Sequence, residues 1–115
     1  MAIEREMMRG SGALAVLQLL SRREMYGYEL VSALAEQTEG ALSMGQSTLY
    51  PLLYNLEAKG WIASRTLESD EGRTRRYYTL TAAGKKELAR QRGEWQTLVR
   101  AMSALGVLDP AKGTR

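Results

Sequence analysis

The segment from Gly45 to Gly60, GQSTLYPLLYNLEAKG, constrains the fold of this chain more than any other stretch. If it forms a helix, each residue turns by about 100°, and its leucines gather on one face. These are Leu49, Leu52, Leu53 and Leu56. The other face lacks the mixture of Lys and Glu that usually solubilises an exposed helix. It carries Ser47, Pro51, Tyr54 and Ala58. A hydroxyl-bearing face of this kind favours binding to a polar partner.

The ends of this helix are indicated by its flanking residues. Gly60 predicts the C-terminal end, because glycine readily adopts the left-handed conformation that stops a helix, and Trp61 then favours a strand. At the N-terminal end, Ser43 starts a pattern that resembles a capping box, whereas Gly45 begins the helix later. We favour Gly45, because a later start makes Pro51 less costly inside the helix.

A β-hairpin is predicted directly after this helix. Residues 61–67 and 75–80 alternate as two strands around a polar turn. The hairpin carries three cations within a span of four residues, at Arg73, Arg75 and Arg76. Edge hairpins also carry Arg and Lys simply to stay soluble and unpaired. We favour nucleic-acid binding, because the cations at the tip all have one sign and adjoin the candidate helix.

Three further amphipathic helices surround these elements. Ser11 is expected to cap the first helix, and after a tight link at residues 25–28 a second helix runs from Tyr28 to about Thr38. Thr81 is expected to cap the long last helix. Tyr28 and the methionines are expected in the core.

The last helix carries apolar residues in the a and d positions of a heptad frame. They are Leu88, Trp95, Leu98, Met102 and Leu105. From Trp95 onward the 3,4,3 spacing is that of a coiled-coil seam. The helix either folds back on the first helix as ordinary core or pairs with a second copy. We favour a homodimer, because so narrow a seam does not suit full burial within one small domain.

Composition excludes several classes of function. The chain contains neither Cys nor His, which removes disulfides, thiolate nucleophiles, the commonest general base and ordinary zinc sites. No serine lies in a nucleophile elbow, and no pair of carboxylates lies in an apolar setting. We therefore expect a protein that is not an enzyme and has no cofactor or metal. The absence of a long apolar run and of a signal-peptide pattern predicts a cytoplasmic protein that does not enter a membrane.

The distribution of charge is more informative than its sum. The formal net charge of +3 is only mildly basic. Residues 1–40 hold four Lys and Arg against six Asp and Glu, residues 41–80 five against four, and residues 81–115 seven against three. An acidic front and a basic rear indicate that only some surfaces face a polyanion.

These patterns together predict a mainly α protein with a small β-hairpin wing. We expect a winged helix-turn-helix DNA-binding domain over residues 1–80, a C-terminal dimerisation helix over residues 81–108 and a flexible tail over residues 109–115. Residues 1–10 are expected to be partly mobile or packed on another element, unless they extend the first helix.

In this fold the third helix is expected to lie in the major groove, while the wing reaches the adjacent backbone or minor groove. The residues expected to bind DNA are Gln46, Ser47, Thr48, Tyr50, Tyr54 and Asn55 from the helix and Arg73, Arg75 and Arg76 from the wing. Exposed tyrosines are also typical of protein interfaces. The alternative is therefore a winged-helix module that binds another protein without specific DNA binding.

An ordered set of motifs resembles the PadR-type transcriptional regulators. They are YGYEL at 26–30, STLYPLL at 47–53, LE at 56–57, Gly60 and EGRTRRYYTLTAAG at 71–84. The resemblance implies a winged helix-turn-helix dimer that binds pseudo-palindromic operator DNA, usually as a repressor released by a small molecule. The chain resembles the small subgroup with a single C-terminal dimerisation helix. It departs from the family at Asn55, where an Arg or Lys is usual.

Trp95 is the candidate effector-binding residue. It resembles the tryptophan that lines a flat pore at the dimer centre in the multidrug-sensing member of the subgroup. Two such side chains across a two-fold axis either sandwich a planar aromatic or cationic compound by stacking and cation-π contact or simply fill the interface.

Overall fold

The computed structural model describes residues 10–108, which form four helices and three strands. In chain order these are α1 (Ser11–Leu20), β1 (Met25–Tyr26), α2 (Gly27–Gln37), α3 (Gln46–Ala58), β2 (Ile62–Glu68), β3 (Thr74–Leu80) and α4 (Ala82–Leu105). The predictions for residues 1–9 and for the tail 109–115 lie outside the described residues. Within the described range, every helix is too short or too polar to cross a membrane.

The three strands form one antiparallel sheet in the order β1-β3-β2. β2 and β3 make the predicted hairpin, with Ile62 opposite Leu80 at its base. β1 adds only two residues, which pair with Tyr77 and Tyr78 of β3. The sequence predicted a link in place of β1, because two residues are too short to show the alternation of a strand. Its formation depends on the free edge that β3 offers beside α2.

The core lies between the helices and the sheet. Leu17 of α1, Leu30 of α2 and Leu49 and Leu53 of α3 have no exposed surface. Leu56 is also buried and Leu52 is half-buried, which confirms the predicted apolar face of α3. The hydrophobic effect of these leucines therefore fixes which face of α3 remains in solvent.

Both ends of α3 follow the preferred prediction. The helix begins at Gln46 with Gly45 at the N-cap position, so Pro51 lies in its second turn on the exposed face. Gly60 has a φ of 81°, the left-handed conformation that glycine adopts most easily. The chain then enters β2 directly.

The start of α4 is attached to the end of α3. Thr81 caps α4 as predicted, since its Oγ1 accepts a hydrogen bond of 3.0 Å from the Gly84 amide. The same hydroxyl donates to the Gly60 carbonyl over 2.7 Å. Gly84 packs so closely on Trp61 that a Cβ at this position would overlap the Trp61 carbonyl oxygen. These contacts hold α4 against the turn that follows α3.

Three expectations were wrong. The first helix has Gly10, with a φ of 84°, at its N-cap position, and Ser11 is its first helical residue. Tyr28 is 61% exposed rather than buried in the core. Leu88, predicted as an interface residue, is only 6% exposed and belongs to the core of its own chain, because the first half of α4 packs on α1 and β3.

Candidate nucleic-acid interface

The polar face of α3 is open to solvent. All six α3 residues expected to bind DNA are exposed. Tyr54 projects furthest among the tyrosines, with 73% of its surface exposed. The face therefore presents hydroxyl and amide groups that can donate or accept hydrogen bonds.

Tyr50 has a second role that the sequence did not indicate. Its ring and hydroxyl lie over Gly27, and a Cβ at Gly27 would overlap the Tyr50 phenol. Tyr50 thus packs α3 against the start of α2 and keeps only part of its surface exposed. A side chain at position 27 would therefore displace the Tyr50 phenol from this contact.

The wing arginines do not share one face of the sheet. Successive strand residues point to opposite faces, so Arg75 and Arg76 diverge. The Arg75 guanidinium carbon lies 4.5 Å from the centre of the Tyr26 ring, a cation-π contact that leaves the positive charge intact. Tyr26 in turn packs edge-on against Tyr77, with ring centres 5.3 Å apart. Arg76 lies on the face that carries the buried Tyr78.

Arg76 contacts both the neighbouring strand and α3. Its Nε donates a hydrogen bond of 2.9 Å to the Ser64 hydroxyl, and its Nη2 lies 3.5 Å from the Glu57 carboxylate. Ser64 also donates to Glu57 over 2.7 Å. Nearby, burial raises the pKa of the Tyr78 phenol, which keeps it protonated and neutral. Sequence patterns gave no role to Glu57 or Ser64, because their partners lie on other elements.

The tip of the wing is acidic rather than basic. The end of β2 and the turn that follows it carry exposed carboxylates at Glu68, Asp70 and Glu71. Arg73 is the last residue of this turn, and its amide donates to the Ser69 hydroxyl over 3.2 Å. All three arginines were predicted at the tip, but only Arg73 lies in the turn, while Arg75 and Arg76 lie in β3.

A separate ion pair fastens β2 to the segment before β1. Arg65 donates two hydrogen bonds, of 2.7 and 2.8 Å, to the Glu24 carboxylate. This bidentate contact lowers the pKa of Glu24 and raises that of Arg65. The Arg65 guanidinium is thus paired with a carboxylate of its own chain, on the sheet face opposite Arg76.

The second half of α4 presents an apolar surface. Trp95 and Leu98 are exposed, Leu105 is 76% exposed, and Met102 is half-buried. Four of the five residues predicted for the dimer interface therefore keep accessible surface. Val99, Val107 and Leu108 extend the exposed apolar surface beyond the predicted set.

A groove of about 370 Å³ runs between α1, α2 and α4. Its lining is largely apolar and includes Leu14, Leu19, Leu34, Leu42 and Trp95. The Arg92 side chain adds a charge at the α4 side. Trp95 thus contributes to a preformed concave surface within a single chain.

Comparison with known proteins identifies the family. The model of the transcriptional regulator PadR-like family matches residues 16–90. The chain belongs to the PadR-like family of transcriptional regulators. This family consists of transcriptional regulators, so the chain is a transcriptional regulator rather than an enzyme. The matched range runs from the second half of α1 into the first half of α4 and includes every residue expected to bind DNA.

Individual relatives agree with this assignment. A transcriptional regulator of Mycobacterium tuberculosis is 33% identical over 96 residues, which cover 84% of this chain and 86% of that protein. The negative transcriptional regulator PadR of Bacillus subtilis is 36% identical over 74 residues, 64% of this chain but only 41% of that protein. A solved transcriptional regulator from Clostridium thermocellum superposes with a TM-score of 0.80 at 27% identity, over 89% of this chain and 96% of that one. The winged-helix fold predicted from the sequence is confirmed.

Proposed function

We propose that this chain is a homodimeric repressor that binds specific operator DNA and is released by a small molecule. The observation that carries the proposal is the position of the exposed polar face of α3 beside the arginines of β3. Hydroxyl and amide groups can pair with base edges in the major groove, and guanidinium groups match phosphates. The B. subtilis relative is a negative regulator, which favours repression.

In the proposed complex, α3 reads sequence and the wing holds the backbone. The base-reading groups come from Gln46, Ser47, Thr48, Tyr54 and Asn55, all exposed. Tyr50 contributes at the edge of this surface, because its phenol already packs over Gly27. Phosphate contacts from the wing fix the register of the protein on the duplex and carry little sequence information.

We assign pairing of two copies to the second half of α4. Its heptad residues from Trp95 to Leu105 lie beyond the buried Leu88 and retain accessible apolar surface. Covering them with the same seam of a second chain satisfies a coiled-coil pattern. A two-fold dimer then presents two copies of α3, which suits half-sites about one helical turn, or roughly 34 Å, apart.

The groove beside Trp95 is the proposed effector site. Its apolar lining and single aromatic ring suit a planar aromatic compound, and its volume is within the usual range for small-molecule pockets, about 300–1,000 Å³. The ligand would release DNA only if it binds one arrangement of the two α3 helices in the dimer more tightly than the other. Titration of planar dyes should quench tryptophan fluorescence in the wild type and not in Trp95→Phe, which retains Trp61. Equal quenching in both proteins would place the dye elsewhere.

DNA binding is tested by fluorescence anisotropy with labelled genomic and random duplexes at several KCl concentrations. We expect binding to both at low salt, with affinity falling steeply as salt rises, and tighter binding to a subset of genomic fragments. A protein-binding module would show no salt-dependent binding to any duplex, and that result would reject the proposal.

A further inference from the structure

Glu57 occupies an electrostatically unfavourable position. It lies in the last turn of α3, which ends at Ala58, where the free backbone carbonyls form the negative end of the helix dipole. It also lies on the helix that we propose to place in DNA, where a carboxylate repels phosphates. Its side chain is nevertheless fixed and only 31% exposed. Its contacts show what compensates this charge.

Glu57, Ser64 and Arg76 form a closed network across three elements. Glu57 accepts from the Ser64 hydroxyl with one oxygen and faces the Arg76 guanidinium with the other. The Arg76 Nε completes the network by donating to Ser64. The network therefore joins α3 to both long strands of the wing.

The other two wing arginines lie outside this network. Within residues 10–108, the ion pairs include neither Arg73 nor Arg75. Arg75 is held only by the neutral ring of Tyr26. Both therefore keep a full positive charge, whereas the charge of Arg76 is balanced by an adjacent carboxylate.

We propose that Glu57 compensates the charge of Arg76, so that Arg76 acts as a positioning residue that sets the wing against α3. Phosphate neutralisation is then the task of Arg73 and Arg75. This inference rests on the proposed DNA binding. It predicts that the three arginines, alike in sequence, differ in their effect on the salt dependence of binding.

The physical basis is counterion release. The slope of log affinity against log salt is about 0.9 for each phosphate that a cation neutralises on duplex DNA. A guanidinium already balanced by a carboxylate adds little to this slope. Its loss instead loosens the angle between wing and helix, which weakens specific binding more than non-specific binding because only the former needs both surfaces in register.

The experiment measures anisotropy over a KCl series with two probes, a duplex selected by the protein from a random pool and a scrambled duplex of equal length. The variants are Glu57→Gln, Arg76→Gln and the double variant, with Arg73→Gln as a positive control. Glu68→Gln is the matched control for loss of a carboxylate, because Glu68 is an exposed wing residue outside the described ion pairs. Thermal melts establish that each variant is folded.

We expect Glu57→Gln to steepen the salt slope by about 0.9 on both probes, because it frees the charge of Arg76. The double variant, which removes both charges, should keep the wild-type slope but lose preference for the selected duplex. Arg76→Gln should lose the same preference, and the uncompensated Glu57 carboxylate that it leaves should weaken binding to both duplexes. Arg73→Gln should lower the slope by about 0.9, and Glu68→Gln should leave it unchanged.

The inference is overturned if Arg76→Gln lowers the slope as much as Arg73→Gln while Glu57→Gln has no effect. Arg76 would then contact phosphate directly, with Glu57 as a bystander. Failure of the proposed function is distinguishable, since the wild type would then bind neither probe at any salt concentration, and both proposals would fall.

Discussion

Truncation of Leu105 to alanine should weaken the proposed dimer strongly. Full burial of a leucine side chain is worth about 1.5–3 kcal/mol. Leu105 is 76% exposed in the single chain, so a partner that covers it recovers about 1–2 kcal/mol. A two-fold interface contains the residue twice, which gives about 2–4 kcal/mol per dimer. The dissociation constant should therefore rise by about 30- to 700-fold, at 1.4 kcal/mol for each factor of ten.

Sedimentation equilibrium over a range of protein concentrations measures this change directly. Gln96→Ala is the matched control, because Gln96 is exposed on α4 and lies away from the heptad seam. It should leave the dissociation constant unchanged. Equal dissociation constants for wild type and Leu105→Ala, or a wild type that is monomeric at all concentrations, would refute the assignment of this surface to self-association.

Three further predictions concern stability and DNA contact. Gly84→Ala should destabilise the fold by about 1–3 kcal/mol or more in thermal melts, because its Cβ would overlap a backbone carbonyl oxygen. Gly93→Ala, with nothing near the added Cβ, should instead be neutral or stabilising by up to about 1 kcal/mol, and the reverse order would contradict the packing described. Glu24→Gln should lower the free energy of unfolding at neutral pH, because the folded state lowers the pKa of this carboxylate. In acid melts the difference in stability between wild type and variant should vanish as the pH falls below about 4 and through that lowered pKa. A stability difference that persists at the lowest pH would exclude the ion pair as its cause. Tyr54→Ala should change the sequences selected from a random pool, whereas Arg73→Ala should weaken all duplexes alike; the opposite pattern would exchange their proposed roles.

The parts of the fold that follow local patterns were predictable from the sequence. The leucine spacing of α3 and the glycine at position 60 specified the exposed face and the end of that helix, and the structure confirms both. Thr81 was likewise recognisable as a cap, since its hydroxyl acts within the first turn of α4. In each case the interaction that decides the structure lies within a few residues along the chain.

The features that the sequence did not reveal depend on contacts between distant segments. A heptad position at Leu88 specifies an apolar partner but not whether that partner is the same chain or another one. The strand β1 exists because β3 offers it an edge. The pairing of Glu57 with Arg76 joins residues 19 positions apart, which no local pattern indicates. Charge along the wing was misjudged for the same reason, since only the fold separates the acidic turn from the arginines of β3.

In the proposed complex, two copies of α3, each flanked by the arginines of its wing, bind one duplex together. Selection of bound DNA from a random pool is the decisive experiment. We expect an enriched inverted repeat whose half-sites are centred about 10 base pairs, or a multiple of that, apart. Recovery of unrelated sequences with no repeat, at the low salt that favours binding, would contradict it.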